Sequence, residues 1–108
     1  MKAYYKNELI SNNINIADTF KKRLIGLLGK NKLFDEGLLL VDCSSIHCFF
    51  MKITIDALYL SKDMKVLYKE TIKPWKIGKI IKETKHILEL PENAARNIEI
   101  GDNIEFIE

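Results

Sequence analysis

His47 and Asp56 stand near the start and at the end of an otherwise mostly apolar run, Ser-Ile-His-Cys-Phe-Phe-Met-Lys-Ile-Thr-Ile-Asp, which spans Ser45 to Asp56. Imidazole titrates near pH 6.5, so a histidine is the natural proton carrier at neutrality, and a nearby acid would fix its tautomer. If Ile46 to Lys52 is a strand, His47, Phe49 and Met51 share one side, and Ile46, Cys48 and Phe50 the other. The imidazole would then sit among soft and aromatic groups. Asp56 has the parity of Leu58 and Leu60. A carboxylate on that apolar face must lie at the rim, meet a cation, or accept backbone hydrogen bonds, because its desolvation cost is otherwise large. Two readings follow from the residues. Either they form the mouth of a site, or His47 is satisfied by backbone in the core and Asp56 fixes a bend between strands.

Other chemistries fit less well. Cys43, His47, Cys48 and His86 could be assembled into a tetrahedral set, yet their spacing matches no zinc pattern, so neither a metal nor a cofactor is expected. On an extended segment Cys43 and Cys48 would lie about 16 Å apart on opposite faces, too far for a disulfide without a sharp bend. The Gly26 to Lys30 stretch has no serine or threonine after the lysine and is not a phosphate loop. Nothing distinguishes Ser44, Ser45 or Cys43 as a nucleophile. Lysines recur at 73, 76, 79, 82 and 85 around Trp75, with Glu83 the one acid, giving segment 73–85 a local charge of +4. That is a cationic surface with an aromatic in it, or a solvated face that keeps the chain soluble.

The elements that would position these groups are short. At 108 residues and 47% hydrophobic content the chain suits a single domain, 1–108, with its own core. Seventeen basic against 15 acidic residues is too balanced to imply nucleic acid. No apolar run reaches the roughly 20 residues of a membrane span, and the opening MKAYYKNELISNN lacks an apolar leader core, so a cytoplasmic location is expected. Strands are predicted at Ala3 to Tyr5 and Leu9 to Ile16, the second broken by a tight turn at Asn12-Asn13. Further strands are predicted at Leu38 to Val41, Ile46 to Lys52, Asp56 to Ser61, Met64 to Thr71, His86 to Leu90 and Asn103 to Ile107. Helices are predicted from Asp18 or Thr19 to Gly29, and from Pro91 to about Ile98. Many short strands with one or two small helices predict a mainly β or α+β domain, a compact barrel-like or sandwich-like sheet.

With these residues in order, the chain resembles the family known as domain of unknown function 192, or uncharacterised protein family 0127. The resemblance runs through Arg23-Leu24-Ile25-Gly26-Leu27-Leu28, Gly37-Leu38-Leu39-Leu40-Val41, and Cys43 to Met51 with its Ile46-His47-Cys48-Phe49-Phe50-Met51. It continues in Ile55-Asp56, Lys73-Pro74-Trp75, Leu88-Glu89-Leu90-Pro91 and Ile100-Gly101-Asp102, covering about residues 14 to 107. Three departures stand out: Cys48 in place of a usual threonine, Met64 where an aspartate–glycine turn is usual, and Glu92-Asn93 where a small residue and glycine are typical. The resemblance implies a small closed, barrel-like domain and a shared pattern of Arg23, His47, Phe50, Met51, Asp56, Trp75 and Glu89. It implies no reaction.

Together these point to a small soluble binding module with a groove lined by His47, Phe50, Met51 and Trp75 and anchored by Asp56 and Arg23, for a small ligand or peptide. The alternative is a small enzyme in which His47 works with Asp56 or Glu89 in acid–base chemistry. A purely structural or assembly role is the third reading. A monomer or weak homodimer is expected, without nucleic acid.

Overall fold

A computed structural model describes residues 1–17, 36–44 and 54–108. Among the described residues there are eight strands: β1 (Lys2–Tyr5), β2 (Glu8–Ser11), β3 (Asn13–Ala17), β4 (Glu36–Leu40), β5 (Ile55–Leu60), β6 (Val66–Ile72), β7 (His86–Pro91) and β8 (Glu105–Ile107). They form a three-stranded sheet ordered β2-β1-β8 and a five-stranded sheet ordered β3-β4-β7-β5-β6. The protein is mainly β, as predicted.

Period-two alternation explains the layering. Leu39, Leu58, Leu60, Leu88 and Leu90 face one way and pack with Ala3 of β1 and with Ile98 and Ile104. This is the core between the two sheets. Leu38, Leu40, Ile55, Ala57, Tyr59 and Ile87 face the other way into a second apolar cluster, against which Cys43, Tyr68 and Ile81 pack. Both faces of β4, β5 and β7 are therefore buried, which is why Leu38–Leu40 and Ala57–Leu60 read as unbroken apolar runs, with the acids Asp56 and Glu89 as the exceptions. Each fully buried leucine or isoleucine here stabilises the fold by roughly 1.5–3 kcal/mol relative to exposure.

Three local expectations are corrected. The tight hairpin lies at Lys6-Asn7, not Asn12-Asn13: Tyr5 pairs with Glu8, and both loop residues have positive φ, 48° and 64°. That left-handed pair matches the twist of the flanking strands. At Asn12 the chain instead leaves one sheet for the other, and β3 runs parallel to β4, Ile14 pairing with Gly37. The segment after Pro91 is a run of turns and not a helix. Ala94, Arg96 and Ile98 donate to the carbonyls of Pro91, Asn93 and Ala95, and Asn93 at φ 73° interrupts any helical run. Pro91 closes β7, paired with Ile55. The predicted helix ending at Gly29 and the predicted strand Ile46 to Lys52 lie outside the described residues.

Candidate functional site

Asp56 sits on the inter-sheet face of β5, paired with Leu90 and Thr71, and is 5% exposed. Both its oxygens are engaged. Thr71 Oγ1 donates to Oδ1 at 2.9 Å, and the Ala95 amide donates to Oδ2 at 3.0 Å. Lys69 Nζ donates to the Ala95 carbonyl at 3.1 Å and the Arg96 carbonyl at 3.4 Å. One acid and one base thus hold the Asn93–Arg96 turn against the sheet by its own amide and carbonyls. A hollow of about 240 Å³ opens here, lined by Asp56, Lys69, Thr71 and Arg96 among others. Two charge-assisted hydrogen bonds, one of them from the backbone, let the carboxylate stay buried, which is one of the three arrangements the sequence left open.

Glu89 is a different case. It lies on the opposite face of the sheet, with the parity of Ile87, directly across from Leu38 on β4 and Ala57 on β5. It is 3% exposed, and burial alone pushes its carboxyl from the ordinary 4.5 to about 8. Among the described residues no cation or hydrogen-bond donor reaches it. At pH 7 the group is mostly a neutral acid, able to donate one hydrogen bond and accept others. Across Ala57 the same row continues to Glu70 of β6. The strand spacing sets the Glu89 and Glu70 backbones roughly 10 Å apart, with only a methyl between. Glu70 Oε2 accepts from the buried Tyr59 hydroxyl and, at 2.9 Å, from the Lys79 amide. Tyr59 meets Tyr68 edge-on at 5.8 Å, and Lys79 Nζ lies 5.5 Å from the centre of the Tyr68 ring.

Asp56 and Glu89 are therefore on opposite sides of one sheet and cannot act on one substrate atom. Trp75 is exposed on a turn. Arg23, His47, Phe50 and Met51 lie outside the described residues. Sequence reading missed Glu70 and Tyr59. Register was the missing signal, since only the pairing of β5 with β6 and β7 puts Glu70, Ala57 and Glu89 in one row. His86 is half-buried, and its Nδ1 accepts the Asp42 amide at 3.2 Å. Burial lowers its pKa, against the raising effect of Asp42, and the neutral ring is the form that can accept. Among the described residues no cluster of three or more histidines, cysteines or acids could hold a metal.

The sequence pattern of domain of unknown function 192, described as "Uncharacterized ACR", matches residues 4–106. An uncharacterised protein family 0127 protein of Pyrococcus horikoshii is 33% identical over 107 residues, covering 94% of this chain and 93% of that one. Its counterpart in Pyrococcus abyssi is 30% identical over 102 residues, covering 87% and 86%. A crystal structure of a protein of unknown function from Novosphingobium aromaticivorans superposes with a TM-score of 0.81 at 18% identity, over 97% of this chain and 82% of that one. That likeness concerns the fold alone.

Proposed function

Because the chain belongs to domain of unknown function 192, whose molecular function is not established, we propose from its own geometry that it is a small binding module, its pocket built on the Glu89 face of the five-stranded sheet. One observation carries this reading: a carboxyl held neutral by burial, in an apolar row beside Ala57, with no described partner. Among the described residues nothing offsets the cost of burying this polar acid, so they give it no structural role. A neutral acid suits an uncharged polar ligand, such as a peptide amide or a sugar hydroxyl, to which it donates one hydrogen bond. His47, Phe50, Met51 and Arg23 are proposed as the remaining walls, on the family pattern. Asp56 is left to its turn, and Trp75 is not used.

The same raised carboxyl would serve a general acid, whose pKa should lie near the working pH. No nucleophile, metal or oxyanion donor converges on it among the described residues, so binding is the better supported reading. Thermal shift with dipeptides and monosaccharides, on the wild type and on Glu89→Leu and His47→Ala, tests it. A probe that stabilises the wild type and fails on Glu89→Leu supports the pocket. If it also fails on His47→Ala, the imidazole belongs to the wall. A probe that stabilises Glu89→Leu equally, or none that stabilises the wild type, overturns the reading. Turnover of a bound probe would replace binding with catalysis.

A further inference from the structure

We propose that the hollow beside the Asn93–Arg96 turn binds a small zwitterion of the α-amino acid class, its carboxylate on Lys69 and Arg96 and its ammonium on Asp56. The hollow forms where the edge strand β6 runs past the turn. Lys69 and Thr71 stand opposite Leu58 and Asp56 of β5 and share their inter-sheet face. The turn is drawn over them, because Asp56 holds its Ala95 amide and Lys69 holds its Ala95 and Arg96 carbonyls. Thr71, Asn93 and Arg96 make an exposed rim, and Asp56 is the buried acid among the lining residues.

The turn's own ties leave hydrogen-bonding capacity unspent around this hollow. An ammonium carries three N–H donors, and Lys69 makes two hydrogen bonds. A carboxylate offers about four acceptor sites, and Asp56 accepts two. Arg96 takes part in the turn through its backbone, its amide donating to the Asn93 carbonyl at 3.3 Å. Its guanidinium makes no hydrogen bond or ion pair among the described residues. Lys69 is half-buried against carbonyls with no acid in contact among them, an arrangement that an incoming anion would complete. Glu70 also borders the hollow, but it has the parity of the other face, where Oε2 accepts from Tyr59 and from the Lys79 amide. Sign and size then choose the ligand. Two cations would suit any small anion, yet Asp56 repels one that brings no positive group. A molecule carrying both signs on adjacent atoms answers all three, and arginine's planar fork matches a carboxylate. The volume, about 240 Å³, is below the roughly 300–1,000 Å³ of drug-sized sites, so a free amino acid fits and a nucleotide does not. This hollow and the Glu89 face lie on opposite sides of the sheet, so the two sites are independent.

The test is a titration followed by proton–nitrogen correlation NMR, with three probes: L-alanine, L-alaninamide, which lacks the carboxylate, and propionate, which lacks the amine. L-Alanine is expected to shift the Ala95 and Arg96 amides saturably. Each analogue should bind about tenfold more weakly or worse, the usual effect of losing a hydrogen bond to a charged group. Arg96→Gln should weaken L-alanine binding by a similar factor, and the exposed side chain leaves the fold intact. Lys69→Gln removes the charge but keeps donors for the turn carbonyls, and should weaken binding about tenfold as well. Dispersed amide signals in the same spectra verify that each variant is folded. Absence of saturable shifts with L-alanine overturns the proposal. So does propionate or L-alaninamide binding as tightly as L-alanine, which would leave a site for one charge alone. L-Alanine binding unchanged in Arg96→Gln and Lys69→Gln overturns it too, and so do shifts centred on Leu38 and Ile87, which would put the amino acid on the Glu89 face.

Discussion

Two buried acids on one sheet meet opposite fates because of what their neighbours offer. Asp56 has a hydroxyl and an amide aimed at its oxygens, so its charge is compensated and the turn it holds is part of the fold. Asp56→Ala should lower stability by about 2–4 kcal/mol, since it orphans the Ala95 amide as well as removing two charge-assisted bonds. Urea unfolding should show a lower midpoint at unchanged m-value. Glu89 has no such compensation among the described residues and keeps its proton up to about pH 8 against an ordinary 4.5. Between those values the folded chain holds a proton that the unfolded chain has released. Its contribution to stability is therefore full below the ordinary value and is lost as pH rises through the folded one, with a slope approaching 1.4 kcal/mol per pH unit. Comparing urea unfolding of the wild type with Glu89→Gln across this window isolates the slope, which should vanish in the variant.

Strands meet closely where glycine allows it. Gly37 of β4 has the parity of Leu39 and faces the inter-sheet core; a Cβ there would lie 2.5 Å from Ile14 Cδ1, 3.1 Å from Leu90 Cδ2 and 3.2 Å from the Glu89 carbonyl oxygen. Gly37→Ala should therefore destabilise by about 1–3 kcal/mol, the usual cost of overpacking. Shortening the nearest neighbour in the double variant with Ile14→Val should recover part of that loss, as chemical denaturation can show. Turns show the converse. Met64 and Asn93 occupy positions where the family pattern has or favours glycine, and both adopt left-handed φ, 64° and 73°. The turn at Met64 still closes, with the Ser61 amide donating to Lys65 and the Met64 amide to Ser61, and Ser61 Oγ accepting two further amides. A departure in residue type has been absorbed by a side-chain hydrogen bond.

At the scale of the molecule, the first and last strands pair, Lys2 with Ile107, and the start of β6 is tied to the approach to β8 by the Val66 amide on Asp102 and the Ile104 amide on Met64. Such distant pairing requires long loops to close before contacts repay them. Refolding from urea should consequently fall in the millisecond-to-second range, slower than a helical domain of this length, and stopped-flow Tyr and Trp emission can measure it. The same closure separates the Asp56 hollow from the Glu89 face by the thickness of a sheet.

Residue types alone were enough to determine that this is a strand-rich domain, that Leu38 to Val41 is apolar on both faces, and that Asp56 on an apolar face needs the rim, a cation or backbone hydrogen bonds. Leu38 to Val41 carries that information locally, because side-chain direction in a strand repeats every two residues. Pro91 was misread because proline equally suits a strand end and a helix start, and the left-handed Asn93 that decides between them depends on the turn's tertiary ties to Asp56 and Lys69. Which acids converge was beyond local pattern altogether. Parity fixes a side within one strand, but only pairing across strands sets Glu89 beside Ala57 and Glu70 and puts Asp56 behind them. Sheet register is a property of contacts between distant segments, and it decided where a site can be.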